Sequence, residues 1–109
     1  MGFLDLFRGE PKGIERTGEI AEGHAKKVEV SERQVVLCRV EGRLYALDAT
    51  CPHEGGRISE GPLLGGKHAM CPLHNYRFDP RTGAAVGGVC EDAKTYRVRE
   101  DGGDCEIWL

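Results

Sequence analysis

Two short stretches set a cysteine and a histidine almost side by side, with a proline after each cysteine: CPHEGG from Cys51 and CPLHNYRF from Cys71. Thiolate and imidazole are ligands for zinc, copper and iron, and Cys51, His53, Cys71 and His74 are enough to close a site. The order of the types is informative. A zinc finger usually offers two cysteines close together and two histidines close together, because each hairpin or helix brings one like pair to a single ion. Here each stretch brings a mixed pair. If two loops approach a dinuclear centre from opposite sides, both thiolates can bind one ion and both imidazoles the other. A mononuclear structural zinc site is the main competing chemistry for these four residues. A catalytic Cys–His nucleophile needs one such pair, and two matched pairs exceed that requirement.

The remaining cysteines and histidines have quieter roles. The total of five cysteines is odd, and without an export signal it points to thiols or metal ligands rather than a disulfide framework. Cys38 in VVLCRV and Cys105 before EIWL read as packing residues, and Cys90 as a small buried thiol beside a third loop. His24 and His68, beside Glu22 and Lys67, read as surface residues.

The elements that must position the two stretches are short and extended. From about Lys27 the pattern is β: KKVEV, RQVVLCRV and RLYALDA, with Glu41 and Gly42 as a two-residue hairpin turn between the last two. GPLLGGKHAM forms a hairpin around Gly65 and Gly66, so each Cys/His stretch sits in a loop beside a strand. DPRTGAAVGG is rich in turn residues, and KTYRVRE and CEIWL make a last hairpin around DGGD, with Tyr96, Val98, Ile107 and Trp108 as core. No long helical period runs through the chain, and its sixteen glycines fit many tight turns. Ahead of this pattern, residues 1–26 read as an N-terminal segment, a short helix or tail, in which Phe3, Leu4, Leu6 and Phe7 form an apolar stripe.

The length of 109 residues suits one domain with a modest core, for which a bound cofactor would add stability. A net charge of −3, with cations and anions interspersed, disfavours nucleic acid as a partner. No apolar run is long enough to span a bilayer, and the first residues lack a signal-peptide pattern, so the expectation is a cytoplasmic protein with no membrane partner. MGFLDL has Leu6 where a myristoylation site wants Ser or Thr.

CPH at 51–53 and CPLH at 71–74 resemble the two cluster-binding boxes of Rieske proteins, in which two histidines replace two cysteines on one iron of a [2Fe–2S] cluster. The resemblance runs from about Lys27 to Leu109. It implies an all-β fold of three small antiparallel sheets, with the cluster at the tip of a loop-bearing subdomain. It also implies that Cys51 and Cys71 hold the buried iron and His53 and His74 the outer one. Gly55 and Gly56 would permit close backbone approach to the cluster, and Pro52 and Pro72 would stiffen the loops.

Formal charge sets the redox class that this resemblance implies. Two ferric ions, two sulfides and two thiolates sum to zero, so such a cluster accepts an electron more readily than one with four thiolates. That places it at roughly −150 to +300 mV, against about −400 mV for plant-type ferredoxins. Respiratory Rieske proteins add a disulfide and hydroxyl donors to the cluster. Gly56 and Leu73 stand at the disulfide positions here, Tyr76 stands in place of the serine and Phe78 in place of the tyrosine. Fewer hydrogen bonds to sulfur stabilise the reduced state less, so the expected potential lies toward the low end.

The expected activity is outer-sphere one-electron transfer with no substrate chemistry of its own. Redox partner proteins are therefore expected: a reductase on one side, and a nitrite reductase large subunit or an oxygenase on the other. CPLHNYRFD followed by VCEDAKTYRV looks closer to the small subunit of NAD(P)H-dependent nitrite reductases, although Val89 interrupts that family's Gly-Cys pair. The alternative is a soluble ferredoxin of a ring-hydroxylating oxygenase system. A further alternative is an accessory subunit with a zinc or non-redox role.

Overall fold

A computed structural model describes residues 10–52, 56–73 and 75–109. The stripe expected over Phe3–Phe7 lies outside these residues. Nine strands follow one another: β1 Lys12–Ile14, β2 His24–Val30, β3 Arg33–Val40, β4 Arg43–Asp48, β5 Gly61–Pro62, β6 Ala69–Cys71, β7 Tyr76–Phe78, β8 Thr95–Asp101 and β9 Asp104–Trp108. Among the described residues the only helical pieces are 3-10 turns at Thr17–Glu19 and Val86–Gly88, and no helix is long and apolar enough to cross a membrane.

All pairings between these strands are antiparallel. The strands β1, β9 and β8 form one sheet, β8, β4, β3, β2 and β5 a second, and β6 with β7 a third. The expected three small sheets are present, with the first two joined through β8 into one seven-stranded path. That junction is narrow, resting on the pairs Ala46↔Tyr96 and Leu47↔Thr95.

β3 is apolar from Val35 to Cys38 because that stretch is buried on both faces. Val36, Cys38 and Val40 enter one core with Leu47, Ala49, Cys51, Ile58, Ala69, Cys71 and Phe78. Val35 and Leu37 enter the other with Ile20, Leu44, Ala46, Tyr96, Cys105 and Ile107. Alternate residues of a strand point to opposite faces, so one continuous apolar run serves two cores. The same alternation sends Ile107 inward and Trp108 outward. Trp108, expected from the sequence to be core, is only half-buried, and the Arg97 guanidinium lies 4.8 Å from its ring centroid.

Residues 10–26 pack against the sheets. β1 pairs with β9, β2 begins at His24, and Ile20 is buried in the second core. Arg39 fastens this segment. Its guanidinium donates to the carbonyls of Thr17 at 2.9 Å, Ile20 at 3.0 Å and Gly42 at 3.2 Å, and to the Glu100 carboxylate at 2.8 Å. Glu22 completes the attachment by accepting from the backbone N–H groups of Glu41 and Gly42 at 2.6 and 2.8 Å. Those two residues have φ of 53° and 81°, the left-handed pair that a tight two-residue hairpin requires.

With only 11% of its side chain exposed, Arg39 holds partners that water reaches poorly. Arg39→Met is expected to lower unfolding free energy by about 2–4 kcal/mol in chemical denaturation, since several acceptors lose their donor together. Glu100→Gln, which keeps a hydrogen-bond acceptor, is expected to cost about 1 kcal/mol or less.

Candidate metal centre

From Tyr45 onward the odd-numbered residues of β4 and its continuation face the first core: Tyr45, Leu47, Ala49 and then Cys51. Strand alternation therefore aims the Cys51 thiol inward before the chain leaves the sheet. Its backbone exit is pinned by Asp48, whose carboxylate accepts from the Thr50 N–H at 2.8 Å and from the Tyr96 hydroxyl at 2.8 Å. Burial and this carboxylate push the Tyr96 phenol above its ordinary pKa. The return side of the loop is tied by the Thr50↔Arg57 bridge, by Ile58 N–H to the Ala49 carbonyl at 2.8 Å, and by Arg57 to the Gln34 side chain at 2.5 Å.

Cys71 arrives by the same logic on the small hairpin. Ala69 and Cys71 of β6 face the core, and across the hairpin Phe78 opposes Ala69 while Tyr76 opposes Cys71. Cys51 and Cys71 are 1% and 2% exposed, so both thiols lie under the loops rather than on the surface. None of the five cysteines is in a disulfide.

The two loops touch at Gly56. Its carbonyl accepts from the Cys51 N–H at 2.6 Å. A Cβ placed on it would lie 2.6 Å from the Cys71 sulfur and 3.2 Å from the Leu73 Cβ. Glycine at position 56 is thus what lets the first loop close against the second. The same contact places positions 56 and 73 together, as expected of the two sites where respiratory proteins carry their disulfide.

A third segment completes this end of the molecule. Asp79 organises its turn, accepting from the Arg81 backbone N–H at 2.9 Å, and the Arg81 guanidinium holds the Asp79 carboxyl below its ordinary pKa. Gly83 follows with φ of 82°, and a Cβ there would meet the Ala93 carbonyl at 2.3 Å. The chain next passes through residues 85–92, where Cys90 packs against the core that holds Cys51 and Cys71. Burial and the neighbouring Asp92 and Glu91 raise the Cys90 thiol pKa.

Among the proposed ligands, the structure describes Cys51 and Cys71; His53 and His74 lie outside the described residues, as does Gly55. No cluster of three or more metal-ligating side chains occurs among the described residues. Cys38 and Cys105 are buried within strands β3 and β9, and burial pushes the Cys38 thiol up to about 12, which keeps it protonated and inert. His24 is exposed and His68 half-buried. The donor set suits a [2Fe–2S] cluster, with two buried thiols on facing loops and a glycine at the point of closest approach.

Comparison with known proteins gives this geometry its context. The Rieske [2Fe-2S] domain family matches residues 11–97. The ferredoxin component of a naphthalene 1,2-dioxygenase system from Pseudomonas aeruginosa is 42% identical over 85 residues, covering 77% of this chain and 81% of that protein. The ferredoxin of carbazole 1,9a-dioxygenase from Nocardioides aromaticivorans superposes with a TM-score of 0.78 at 26% identity, covering 91% of this chain and 97% of that one. A putative NADH-dependent nitrite reductase small subunit from Mycobacterium tuberculosis superposes with a TM-score of 0.69 at 17% identity, covering 91% and 94%, a likeness of fold alone.

These findings favour the dioxygenase ferredoxin over the nitrite reductase small subunit that the sequence motifs suggested. The reason lies in those motifs. Tyr96 and Val98 of KTYRVRE are placed by the Asp48 hydrogen bond and the second core, and Phe78 of the second box by the first core. Packing demands of one shared fold do not discriminate between partners.

Gly56→Ala is expected to reduce iron and sulfide per chain by at least about half, because the added methyl displaces the Cys71 sulfur or separates the loops. Gly13→Ala, where a Cβ meets nothing within 4 Å, is the control expected to leave both unchanged.

Proposed function

The chain belongs to the Rieske [2Fe–2S] domain family, and from that premise we propose that it serves as the ferredoxin component of a ring-hydroxylating dioxygenase system. In this role it takes electrons one at a time from a reductase and passes them to a terminal oxygenase. The observation that carries this reading is the 42% identity with a naphthalene dioxygenase ferredoxin across 77% of the chain. The bound cluster supplies reversible one-electron chemistry at a potential set by its mixed ligation.

The protein's own residues supply geometry and solvation. Cys51 and Cys71 would be the two thiolate ligands of the cluster, beneath loops braced by Asp48, Gln34 and the β6–β7 hairpin. His53 and His74 would be the two imidazole ligands of the cluster. Phe78 carries no hydroxyl, which removes one donor that would otherwise favour reduction, and this supports a potential toward the low end of the Rieske window. Cytoplasmic residence belongs to the same proposal, since thiol ligands need a reducing compartment during assembly.

His53→Ala and His74→Ala are each expected to abolish the Rieske electron paramagnetic resonance signal; an unchanged spectrum in either variant removes that residue from the ligand set. For the function itself, purified cluster-loaded protein is combined with the reductase and terminal oxygenase of a naphthalene dioxygenase system. Substrate-dependent oxygen uptake that requires the protein is expected. Nitrite consumption with a nitrite reductase large subunit, without such uptake, would overturn the reading.

A further inference from the structure

The Cys51 loop leaves the sheet at Asp48, whose two carboxylate oxygens serve different parts of the protein. Oδ1 accepts from the Thr50 N–H and Oδ2 from the Tyr96 hydroxyl, both at 2.8 Å. The first bond is local and shapes the start of the loop. The second ties that start to β8. The terminal torsion of an aspartate is broad, so a single bond to one oxygen leaves the carboxylate free to turn. Bonds to both oxygens from different directions hold it.

Tyr96 offers a fixed point for that purpose. It is 8% exposed, packs in the second core with Leu44, Ala46 and Ile107, and its backbone pairs with Ala46. Its hydroxyl has one proton to give. The Arg33 guanidinium donates to the same oxygen at 3.4 Å, and a guanidinium can only donate, so the hydroxyl proton is directed to Asp48.

The two ends of this chain of bonds belong to different cores. Cys51 lies in the first and Tyr96 in the second. The backbone ladder between β4 and β8 is short, and it is extended only as far as the Asp48 N–H, which donates to the Lys94 carbonyl at 2.8 Å. Thr50 is exposed and lines a polar cleft with Arg33, Gln34, Asp48 and Arg57. Water in that cleft can take the Thr50 N–H whenever the carboxylate turns away, which frees the start of the loop.

We propose that Tyr96 is a positioning residue for the cluster: acting through Asp48, it holds the turn that delivers the Cys51 thiol, so that the second core governs how long the cluster is retained. This rests on the Rieske cluster reading with Cys51 as a ligand, and it is independent of which redox partners the protein serves. Cluster loss then proceeds through local opening of this turn rather than through unfolding of the whole domain.

The test follows iron loss from cluster-loaded protein to an added iron chelator in native buffer, by bleaching of the visible absorption, together with the paramagnetic resonance spectrum of the reduced protein. Tyr96→Phe, which keeps the ring and its packing, is expected to speed iron loss about ten-fold, as removal of one hydrogen bond to a charged acceptor does in an opening equilibrium. Its resonance should broaden as the loop samples more than one arrangement. Asp48→Ala should accelerate loss at least as much, and adding Tyr96→Phe to it should add nothing, because both act through one interaction. Asp48→Asn keeps an oxygen for the Thr50 N–H and a polar partner for Tyr96, and should stay within about two-fold of wild type. Arg39→Met, which destabilises the fold without touching this turn, should leave the rate and the spectrum unchanged.

A wild-type rate in Tyr96→Phe overturns the positioning role, and so does additive acceleration in the double variant. Equal acceleration by Arg39→Met overturns it as well, since retention would then follow global stability. If Asp48→Asn loses iron as fast as Asp48→Ala, charge rather than hydrogen bonding is responsible and the proposal falls. A wild-type protein without a Rieske signal overturns the cluster reading itself.

Discussion

The contact between Gly56 and Cys71 is the constraint on which the cysteine end of this protein depends. Two loops from different sheets meet where a methyl group would fall 2.6 Å from a sulfur atom. The approach has been prepared on both sides. The odd-numbered face of β4 runs through Leu47 and Ala49 to Cys51, and the core face of β6 runs through Ala69 to Cys71. Both thiols therefore enter one buried layer as extensions of strands, and the loops need only turn back over them. The brace around Asp48, Thr50, Gln34 and Arg57 then keeps the first loop from lifting away.

Much of this was readable in the residues themselves. The mixed order of the Cys/His pairs pointed to a [2Fe–2S] cluster because it is unusual for a single tetrahedral ion, and the family match bears that cofactor out. The hairpins at Glu41–Gly42, Gly65–Gly66 and Gly102–Gly103 were marked by turn residues, and all three have positive φ at both positions. Cys38 and Cys105 read as packing residues, and each is buried on the inward face of its strand. Position 56 was suspected for its lack of a side chain, but which neighbour it approaches depends on contacts far apart in sequence.

Other features left little local trace. β1 is three residues long and includes a glycine, and its strand character comes from pairing with β9 rather than from any alternation of its own. The attachment of residues 10–26 runs through Arg39 and Glu22, whose charged side chains look like surface residues until their backbone partners are known. Trp108 looked like core because indole is apolar, yet its neighbour Ile107 takes the inward face and leaves it outside. The motifs that suggested the nitrite reductase small subunit are held by packing common to the fold, and such packing does not discriminate between partner systems.

β3 carries a consequence for how this chain can change. Since Val36, Cys38 and Val40 serve one core and Val35 and Leu37 the other, sliding the strand by a single residue would swap both sets at once. Insertions and deletions are thus barred from the middle of the molecule, while residues 85–92 hang from two anchor points and can be rewritten between them. That stretch, tied by the Phe78↔Ala85 bridge and by Cys90, can in this way vary without disturbing the strands that aim the two thiols.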